Sequence, residues 1–228
     1  MEFPVAPKLP DDVLAKQTAL PRRPAPVTLT GRRVRLVPLD LDRDVEPLFR
    51  ITNGSPITLG DRTVEAYDAD ERVWRYMPAG PFATADELAA YLRGQLDAPD
   101  ALPMCVYEVT TDQPIGAATF MSNWPQHLKI ELGNIWYSPL AQRTGANAET
   151  TLLMLDHAFA LGYRRVEWKC DALNERSRRS ALRMGFQFEG IQECHYIVKG
   201  RSRDTAWFRL LDREWPEARL RLQALLPD

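Results

Sequence analysis

The most strongly periodic stretch of the chain is a run of apolar residues that ends at Gly162. Ala148, Leu152, Leu155 and Phe159 recur at helical spacing, and the glycine supplies a helix stop. A helix with such an apolar stripe must bury it against a sheet or another helix. This segment therefore constrains the fold more than any other part of the sequence.

The other hydrophobic patterns predict alternating strands and further amphipathic helices around this segment. The predicted strands are 34–37, 104–110, 115–121, 128–137, 164–171, 187–199 and 203–211. The other predicted helices begin at Asp40 or Asp42 and run toward Asn53, or span 84–96, 174–185 and 214–226, with a short helical stretch near 71–76. A Rossmann-like sheet would alternate strand and helix throughout. The order here does not, and it predicts a single α/β domain with an antiparallel meander.

The first 27 residues contain a high density of prolines. These are Pro4, Pro7, Pro10, Pro21, Pro24 and Pro26. Proline removes backbone donors and disfavours both helix and sheet. We therefore predict an extended arm over residues 1–27, followed by the folded domain over residues 28–228.

Composition excludes several classes of function. The formal net charge is −2, whereas a general nucleic-acid binder needs a surface excess of Lys and Arg, so we expect no nucleic-acid partner. No apolar run approaches the roughly 20 residues that cross a bilayer. The first residues include an early acid and prolines and do not resemble a secretory signal. We therefore expect a cytoplasmic protein with no membrane partner.

The three cysteines, Cys105, Cys170 and Cys194, show no C-x-x-C spacing. Neither a disulfide framework nor a metal site is expected from them. Cys170 lies on the apolar face of the predicted strand 164–171, which is typical of a buried structural thiol. We expect all three to be reduced interior thiols, and we expect no metal.

Three sequence blocks resemble the GNAT family of N-acetyltransferases. Within that family they resemble the ribosomal-protein N-terminal acetyltransferases of the RimJ/RimL type. The blocks are 131–139 (ELGNIWYSP), 142–149 (QRTGANAE) and 174–177 (NERS) with Gly185-Phe186. The resemblance covers about residues 31–215. It implies the GNAT fold, an α/β (α+β) fold with a mixed, mostly antiparallel sheet of about six or seven strands flanked by helices. It also implies acetyl-CoA as cosubstrate and a primary amine as acceptor.

The middle block has a physical basis for binding the pyrophosphate of coenzyme A. Gly145 at a strand-to-helix junction lets backbone amides approach a phosphate, and the following helix presents free N–H groups and its positive dipole end. The match to the family's glycine loop is imperfect, because either register leaves one departure, at Arg143 or at Asn147. A glycine turn before a core helix is the alternative. The resemblance implies cofactor contacts at Trp136, Tyr137, Ser138, Gln142, Arg143, Thr144, Gly145, Ala146, Asn147, Ala148 and Asn174.

The first block would place unpaired backbone amides beside the cofactor. In the family this strand splays from its neighbour, and we expect Pro139, which has no N–H, to end the pairing. An amide near Tyr137 would stabilise the oxyanion formed when an amine attacks. We expect the Trp136 and Tyr137 side chains themselves to be core and rim aromatics.

Acetyl transfer also needs a base for the ammonium and a group that serves the departing thiolate. Many GNAT members carry a tyrosine seven residues after the asparagine that here is Asn174, but that position is Ala181. Resemblance to RimJ/RimL-like members instead implies Ser177, whose alternative role is helix capping. For the base, Glu131 is the leading candidate, and His195 on a later strand competes with it because of its reference pKa of about 6.5.

The sequence does not decide which amine is the acceptor. Residues 174–203 carry seven Arg or Lys and three Glu, so the remainder of the chain is acidic. The acidic remainder points weakly to a cationic acceptor such as a polyamine or aminoglycoside, whereas the resemblance favours a protein N-terminal amine. A catalytically silent acyl-CoA-binding module is the alternative from another class. The two C-terminal strands and the helix near Trp215 are a candidate edge for a homodimer.

Overall fold

The structure is a computed structural model that describes residues 3–226. Six helices and ten strands account for most of it. The helices are α1 (Asp11–Ala19), α2 (Leu41–Arg50), α3 (Ala85–Leu96), α4 (Ala146–Leu161), α5 (Glu175–Arg183) and α6 (Trp215–Ala224). The strands are β1 (Leu29–Thr30), β2 (Val34–Pro38), β3 (Ile57–Leu59), β4 (Arg62–Val64), β5 (Leu102–Glu108), β6 (Gln113–Trp124), β7 (Lys129–Tyr137), β8 (Arg165–Asp171), β9 (Gln187–Val198) and β10 (Arg201–Leu211).

Eight strands form the main sheet, in the order β1-β2-β5-β6-β7-β8-β10-β9. All neighbours are antiparallel except β7 and β8, which are parallel and are connected through α4. This confirms the mixed, mostly antiparallel sheet. The strand beyond the seven predicted is the two-residue β1, which pairs Leu29 with Leu36 and is too short to give a sequence pattern.

Helix α4 packs its apolar stripe onto the sheet, as its spacing predicts. Leu152, Leu155 and Ala158 are buried in the main core. In the first turn of α4, the buried Glu149 carboxylate accepts hydrogen bonds at 2.8 Å from the backbone amides of Arg32, Arg33 and Val34. This contact fixes the first turn of α4 against the start of β2.

The prediction of an extended arm over residues 1–27 is wrong for Asp11–Ala19, which forms α1. Proline disfavours a helix only from its interior, and the arm's prolines at positions 10 and 21 flank this segment. The arm also contacts the domain. The Asn123 side-chain amide donates to the carbonyls of Pro21 and Arg22, and Arg23 donates to the carbonyl of Leu96 at 2.6 Å.

The region between α2 and α3 holds structure that its turn-rich sequence conceals. β3 and β4 form a separate hairpin, which the sequence does not predict. The predicted helical stretch near 71–76 is a π-helical turn over Asp70–Trp74. Trp74 is buried, and its indole N–H donates to the Thr52 carbonyl at 3.0 Å. The turn thereby anchors the chain that leads to residues 76–78.

The expectation of three interior thiols holds for two of them. Cys105 and Cys170 are buried, but Cys194 is exposed. Cys194 has φ +50° and lies where the register of β9 and β10 shifts between the pairs Arg203↔Tyr196 and Thr205↔Gln192. A β-bulge breaks the alternation of inward and outward side chains, so the strand pattern did not report its exposure.

Candidate active site

The two parallel strands separate within the domain. Their ladder pairs Lys129 with Arg165, Ile130 with Val166 and Glu131 with Glu167, and no later residues of β7 and β8 are paired. The predicted splay is therefore present, but Pro139 is not its cause, because pairing ends eight residues earlier. β7 carries a bulge opposite Ala118, and Asn134 within it has φ +48°. A bulge increases strand twist and bends the strand, which turns β7 away from β8.

A cavity of about 420 Å³ opens between the separated strands. Its walls come from β7, β8, the start of α5, the β9–β10 hairpin and residues 76–78. The lining residues with titratable or hydrogen-bonding side chains include Tyr76, Glu131, Lys169, Cys170, Asn174, Ser177, Tyr196, Lys199 and Arg203. The cavity therefore brings together residues from two of the sequence blocks, namely Glu131 from the first block and Asn174 and Ser177 from the third.

Among residues 3–226, Glu131 is the only carboxylate that lines this cavity, and its residue is 1% exposed. Burial raises the pKa of this carboxyl above its ordinary value, while the nearby Lys169 ammonium opposes the rise. Lys169 Nζ lies 2.8 Å from Glu131 Oε2. A carboxylate with a raised pKa is a stronger base than a solvated one, so the position suits proton acceptance.

Ser177 lies in the first turn of α5, where Asn174 is the N-cap. Asn174 Oδ1 accepts a hydrogen bond from the Ser177 amide at 3.1 Å. The Ser177 hydroxyl accepts from the Trp168 indole N–H at 3.0 Å. Capping is therefore done by Asn174, and Trp168 orients Ser177 Oγ; neither contact uses the proton of the hydroxyl. The same hydroxyl is hydrogen-bonded to the Cys170 side chain. Ala181, one turn later, is fully buried in the core and offers no acid.

The loop that precedes α4 has the conformation expected at an anion-binding helix start. Gly145 has φ +90°, a left-handed value that glycine adopts readily, and α4 begins at Ala146. Arg143 also has a positive φ, +65°, and is exposed. The Thr144 hydroxyl donates to the Ala141 carbonyl at 2.8 Å, and the Gln142 amide donates to the Arg72 carbonyl at 3.0 Å. The Thr144 hydroxyl also accepts a hydrogen bond from the Ala146 amide at 3.4 Å, so these two side chains hold the loop in place at the start of α4.

The other predicted cofactor residues of this region are placed around the loop and not on the cavity. Ser138 is buried, and its hydroxyl accepts from the Leu140 amide at 3.3 Å. Asn147 and Ala148 lie in the first turn of α4. Trp136 and Tyr137 are buried core side chains, as expected, and Trp136 packs on Trp74 with ring centroids 5.1 Å apart.

His195 lies on β9 but does not line the cavity. Its ring lies 3.8 Å from that of Tyr196, centroid to centroid, and its Nδ1 has no hydrogen-bond partner among residues 3–226. Burial lowers its pKa, as do the Lys169 and Arg203 cations. The structure therefore does not bring His195 together with Glu131 and Ser177 on one wall.

Sequence reasoning missed the cations of the cavity. Lys169 lies on the polar face of the alternating strand 164–171, and Arg203 lies at the end of the basic segment 174–203. The cavity wall that carries Lys169 forms only where β7 and β8 separate. A local alternation pattern does not report that separation, so no sequence signal identified these residues.

Comparison with known proteins decides the family. A family model for an acetyltransferase (GNAT) domain matches residues 33–187, more than half of the chain. The chain belongs to the GNAT acetyltransferase family. This GNAT protein is 36% identical to a GCN5-related N-acetyltransferase from Brucella melitensis, with a TM-score of 0.79 over 90% of this chain and 88% of that one.

Two further relatives agree with this assignment. A probable GNAT-family acetyltransferase from Chromobacterium violaceum is 33% identical, with a TM-score of 0.78 over 94% of this chain and all of that one. An uncharacterized N-acetyltransferase of Bacillus subtilis, YnaD, is 26% identical over 68% of this chain and 89% of its own length. The fold and the N-acetyltransferase class of this GNAT protein are therefore established.

Similarity to the ribosomal-protein N-terminal acetyltransferases of the RimJ/RimL type is more distant. The Salmonella typhimurium acetyltransferase that modifies the N-terminal serine of a ribosomal subunit protein is 15% identical, with a TM-score of 0.66 over 81% of this chain. Similarity at that level shows a shared fold and nothing more.

No helix within residues 3–226 of this GNAT protein is long and apolar enough to cross a membrane.

Proposed function

We propose that this GNAT protein transfers acetyl from acetyl-CoA to a primary amine by direct attack in a ternary complex. The observation that carries the proposal is the cavity at the strand separation, which has the Glu131 carboxylate and the Ser177 hydroxyl on its walls. GNAT acetyltransferases use acetyl-CoA, which when bound supplies the acetyl group as an activated thioester. The proposal requires no covalent enzyme intermediate.

Two features of the chain fit acetyl-CoA. The left-handed Gly145 precedes a 16-residue helix whose positive N-terminal end would attract the pyrophosphate, and Arg143 is exposed beside it. β7 beyond Glu131 is not paired with β8, which leaves room for the pantetheine between the strands. Backbone amides of β7 near Tyr137 would then stabilise the oxyanion.

Glu131 and Ser177 have complementary roles in this proposal. Glu131 removes a proton from the acceptor ammonium, directly or through water, so that the neutral nitrogen attacks the thioester carbon. Ser177, oriented by Trp168, donates a hydrogen bond to the sulfur as the carbon–sulfur bond breaks. The thiolate leaves as CoA and takes up the proton that the attacking nitrogen loses as it becomes an amide. Lys169 holds the Glu131 carboxylate in place. Each role uses a group that faces the same cavity.

We infer that the acceptor amine is an α-amine, as at a protein or peptide N-terminus. Its reference pKa of about 7.7–8.0 leaves a substantial neutral fraction near neutral pH. A lysine-like amine has a higher pKa and is almost fully protonated at that pH, so the buried carboxylate must deprotonate a smaller fraction of an α-amine acceptor than of a lysine-like one. The RimJ/RimL type, a cytoplasmic location and a homodimer through the C-terminal strands remain predictions.

Calorimetric titration with acetyl-CoA tests the donor side, with Gly145→Val as the variant. We expect saturable binding in the wild type and loss of it in the variant, because valine disfavours the left-handed backbone and crowds the phosphate approach. Gly200→Val is the matched control, since Gly200 also has a positive φ (+72°) but lies in the β9–β10 turn, outside the loop. No binding to the folded wild type would contradict the proposal.

Release of free CoA in the presence of amines tests transfer itself. An active enzyme releases CoA faster with an acceptor than without one. Saturable acetyl-CoA binding with no amine-dependent release across α-amines, polyamines and aminoglycosides would instead identify a silent acyl-CoA-binding module. The buried Ala181, which replaces the family's common tyrosine, is the feature that makes this outcome worth testing.

A further inference from the structure

The wall of the cavity formed by the β9–β10 hairpin bears on the choice of acceptor. Tyr196 and Arg203 are paired across the two strands, and both line the cavity together with residues 76–78. This inference rests on the proposed function and concerns the substrate class of the same site. It starts from the charges that face the cavity.

Within the described part of the chain, three cations line the cavity against one carboxylate, Glu131. Lys169 is neutralised by that carboxylate at 2.8 Å. Lys199 donates to the Trp74 carbonyl at 2.7 Å and lies 3.6 Å from an Asp70 carboxylate oxygen. Two of the three cations therefore have anionic or carbonyl partners within the protein.

Arg203 differs from both. Among residues 3–226, no carboxylate lies within ion-pair distance of its guanidinium, which instead lies over the Tyr196 ring with its central carbon 5.6 Å from the centroid. Its Nε is shielded from solvent and has no hydrogen-bond partner in the described chain. A buried donor without a partner is unfavourable. The planar guanidinium fork matches a carboxylate in geometry and charge.

We propose that Arg203 binds a carboxylate of the acceptor, so that the substrate is an amine that also carries a carboxylate. An amino acid has this chemistry, and so does a peptide N-terminus with an acidic first side chain. A polyamine or aminoglycoside would bring several positive charges against the Arg203 guanidinium, whose charge no carboxylate among residues 3–226 offsets at ion-pair distance. The acidic balance of the rest of the chain does not offset this, because charges beyond about 10 Å are largely screened.

The test compares acceptors that differ only in one carboxylate. Two dipeptide amides, one beginning with glutamate and one with glutamine, represent the peptide source. Alanine and alaninamide represent the amino-acid source, and spermidine represents a polycation. Each is titrated calorimetrically into wild type, Arg203→Gln and Arg201→Gln, with and without CoA. Arg201 is the matched control because it lies two residues away on β10, is exposed and does not line the cavity.

We expect the wild type and Arg201→Gln to bind the carboxylate member of at least one pair tenfold or more tightly than its amide. Arg203→Gln should remove that difference and leave CoA affinity within twofold. The pair that shows the difference identifies the source as peptide or amino acid. Equal binding of both members of each pair by the wild type would overturn the proposal, as would tighter binding of spermidine. A tenfold loss of CoA affinity in Arg203→Gln would also overturn it, since Arg203 would then serve the donor.

Failure of the proposed function gives a different result. It would appear as absence of acetyl-CoA binding or of CoA release, whereas the carboxylate preference is a binding difference measured without turnover. A charge reversal supplies the complementary check. Arg203→Glu should lower affinity for the carboxylate acceptor further than Arg203→Gln does, with unchanged thermal unfolding in both variants as evidence of folding.

Discussion

Lys169 Nζ lies 2.8 Å from Glu131 Oε2, across the point where the ladder of β7 and β8 ends. The pair joins the two strands by side chains just where their backbones cease to be paired. It also sets the protonation of the carboxylate proposed as base. Burial raises the Glu131 pKa, and the Lys169 cation is the largest opposing influence.

Lys169→Met should therefore shift the acidic limb of the kcat profile to higher pH. Removal of the cation takes away the influence that lowers the Glu131 pKa, so that pKa rises and a higher pH is needed to ionise the base. The measurement is kcat against pH for wild type and variant. Lys129→Met is the control, because Lys129 pairs with Glu167, outside the cavity. An unshifted limb, or the same shift in both variants, would argue against Glu131 as base.

Ser177→Ala and Glu131→Gln should each lower kcat by about 10²–10⁴-fold, the usual contribution of a positioned acid or base. Acetyl-CoA affinity should stay within about threefold of wild type, because neither residue lies in the loop before α4. Single-turnover kinetics and calorimetry measure the two quantities. Ser180→Ala is the control, since Ser180 lies in the same helix but does not line the cavity.

The same assay distinguishes the two candidate bases. His195→Gln should change kcat by less than threefold, because His195 does not line the cavity with Glu131 and Ser177. A loss as large as that of Glu131→Gln would transfer the role of base to His195. Unchanged rates in both Ser177→Ala and Glu131→Gln would remove the assignment of roles altogether.

Glu149→Gln should destabilise the protein and weaken acetyl-CoA binding together. The carboxylate accepts three backbone hydrogen bonds at 2.8 Å in a buried position, and hydrogen bonds to charged groups contribute about 1.5–3 kcal/mol each. The amide keeps one acceptor oxygen and turns a donor toward the same amides. Urea unfolding should show a lower free energy of unfolding by a few kcal/mol, whereas the exposed Glu217→Gln should stay within about 0.5 kcal/mol of wild type.

Deletion of residues 1–27 should lower the unfolding midpoint. It removes the carbonyl partners of the buried Asn123 amide, and it uncovers core that Leu20 and Val27 pack against. A shorter deletion of residues 1–9, which precede α1, serves as the control and should change stability little. Equal unfolding midpoints for the two deletions would show that the contacts of α1 and the following residues contribute nothing measurable.

Local sequence patterns determined most of the architecture. The 3.6-residue stripe of α4, the Asn174 cap of α5 and the alternating strands each depend on interactions within a few residues, so they are legible along the chain. The same is true of Gly145, whose left-handed backbone is required locally. The choice of Glu131 and Ser177 depended on the family resemblance, and the structure places both on one cavity.

The tertiary structure decided what depends on strands that are distant in sequence. The sheet order brings together the segments that decide three features: the end of the β7–β8 ladder, the ion pair of Lys169 with Glu131, and the Arg203 guanidinium, which has no carboxylate partner among residues 3–226. The bulge in β9 also leaves Cys194 exposed, although the sequence predicted an interior thiol there. Periodicity reports which face of a strand is apolar, but not which strand lies opposite or where two strands separate. Those facts are set by packing across the whole domain, and they determine which charges face the acceptor.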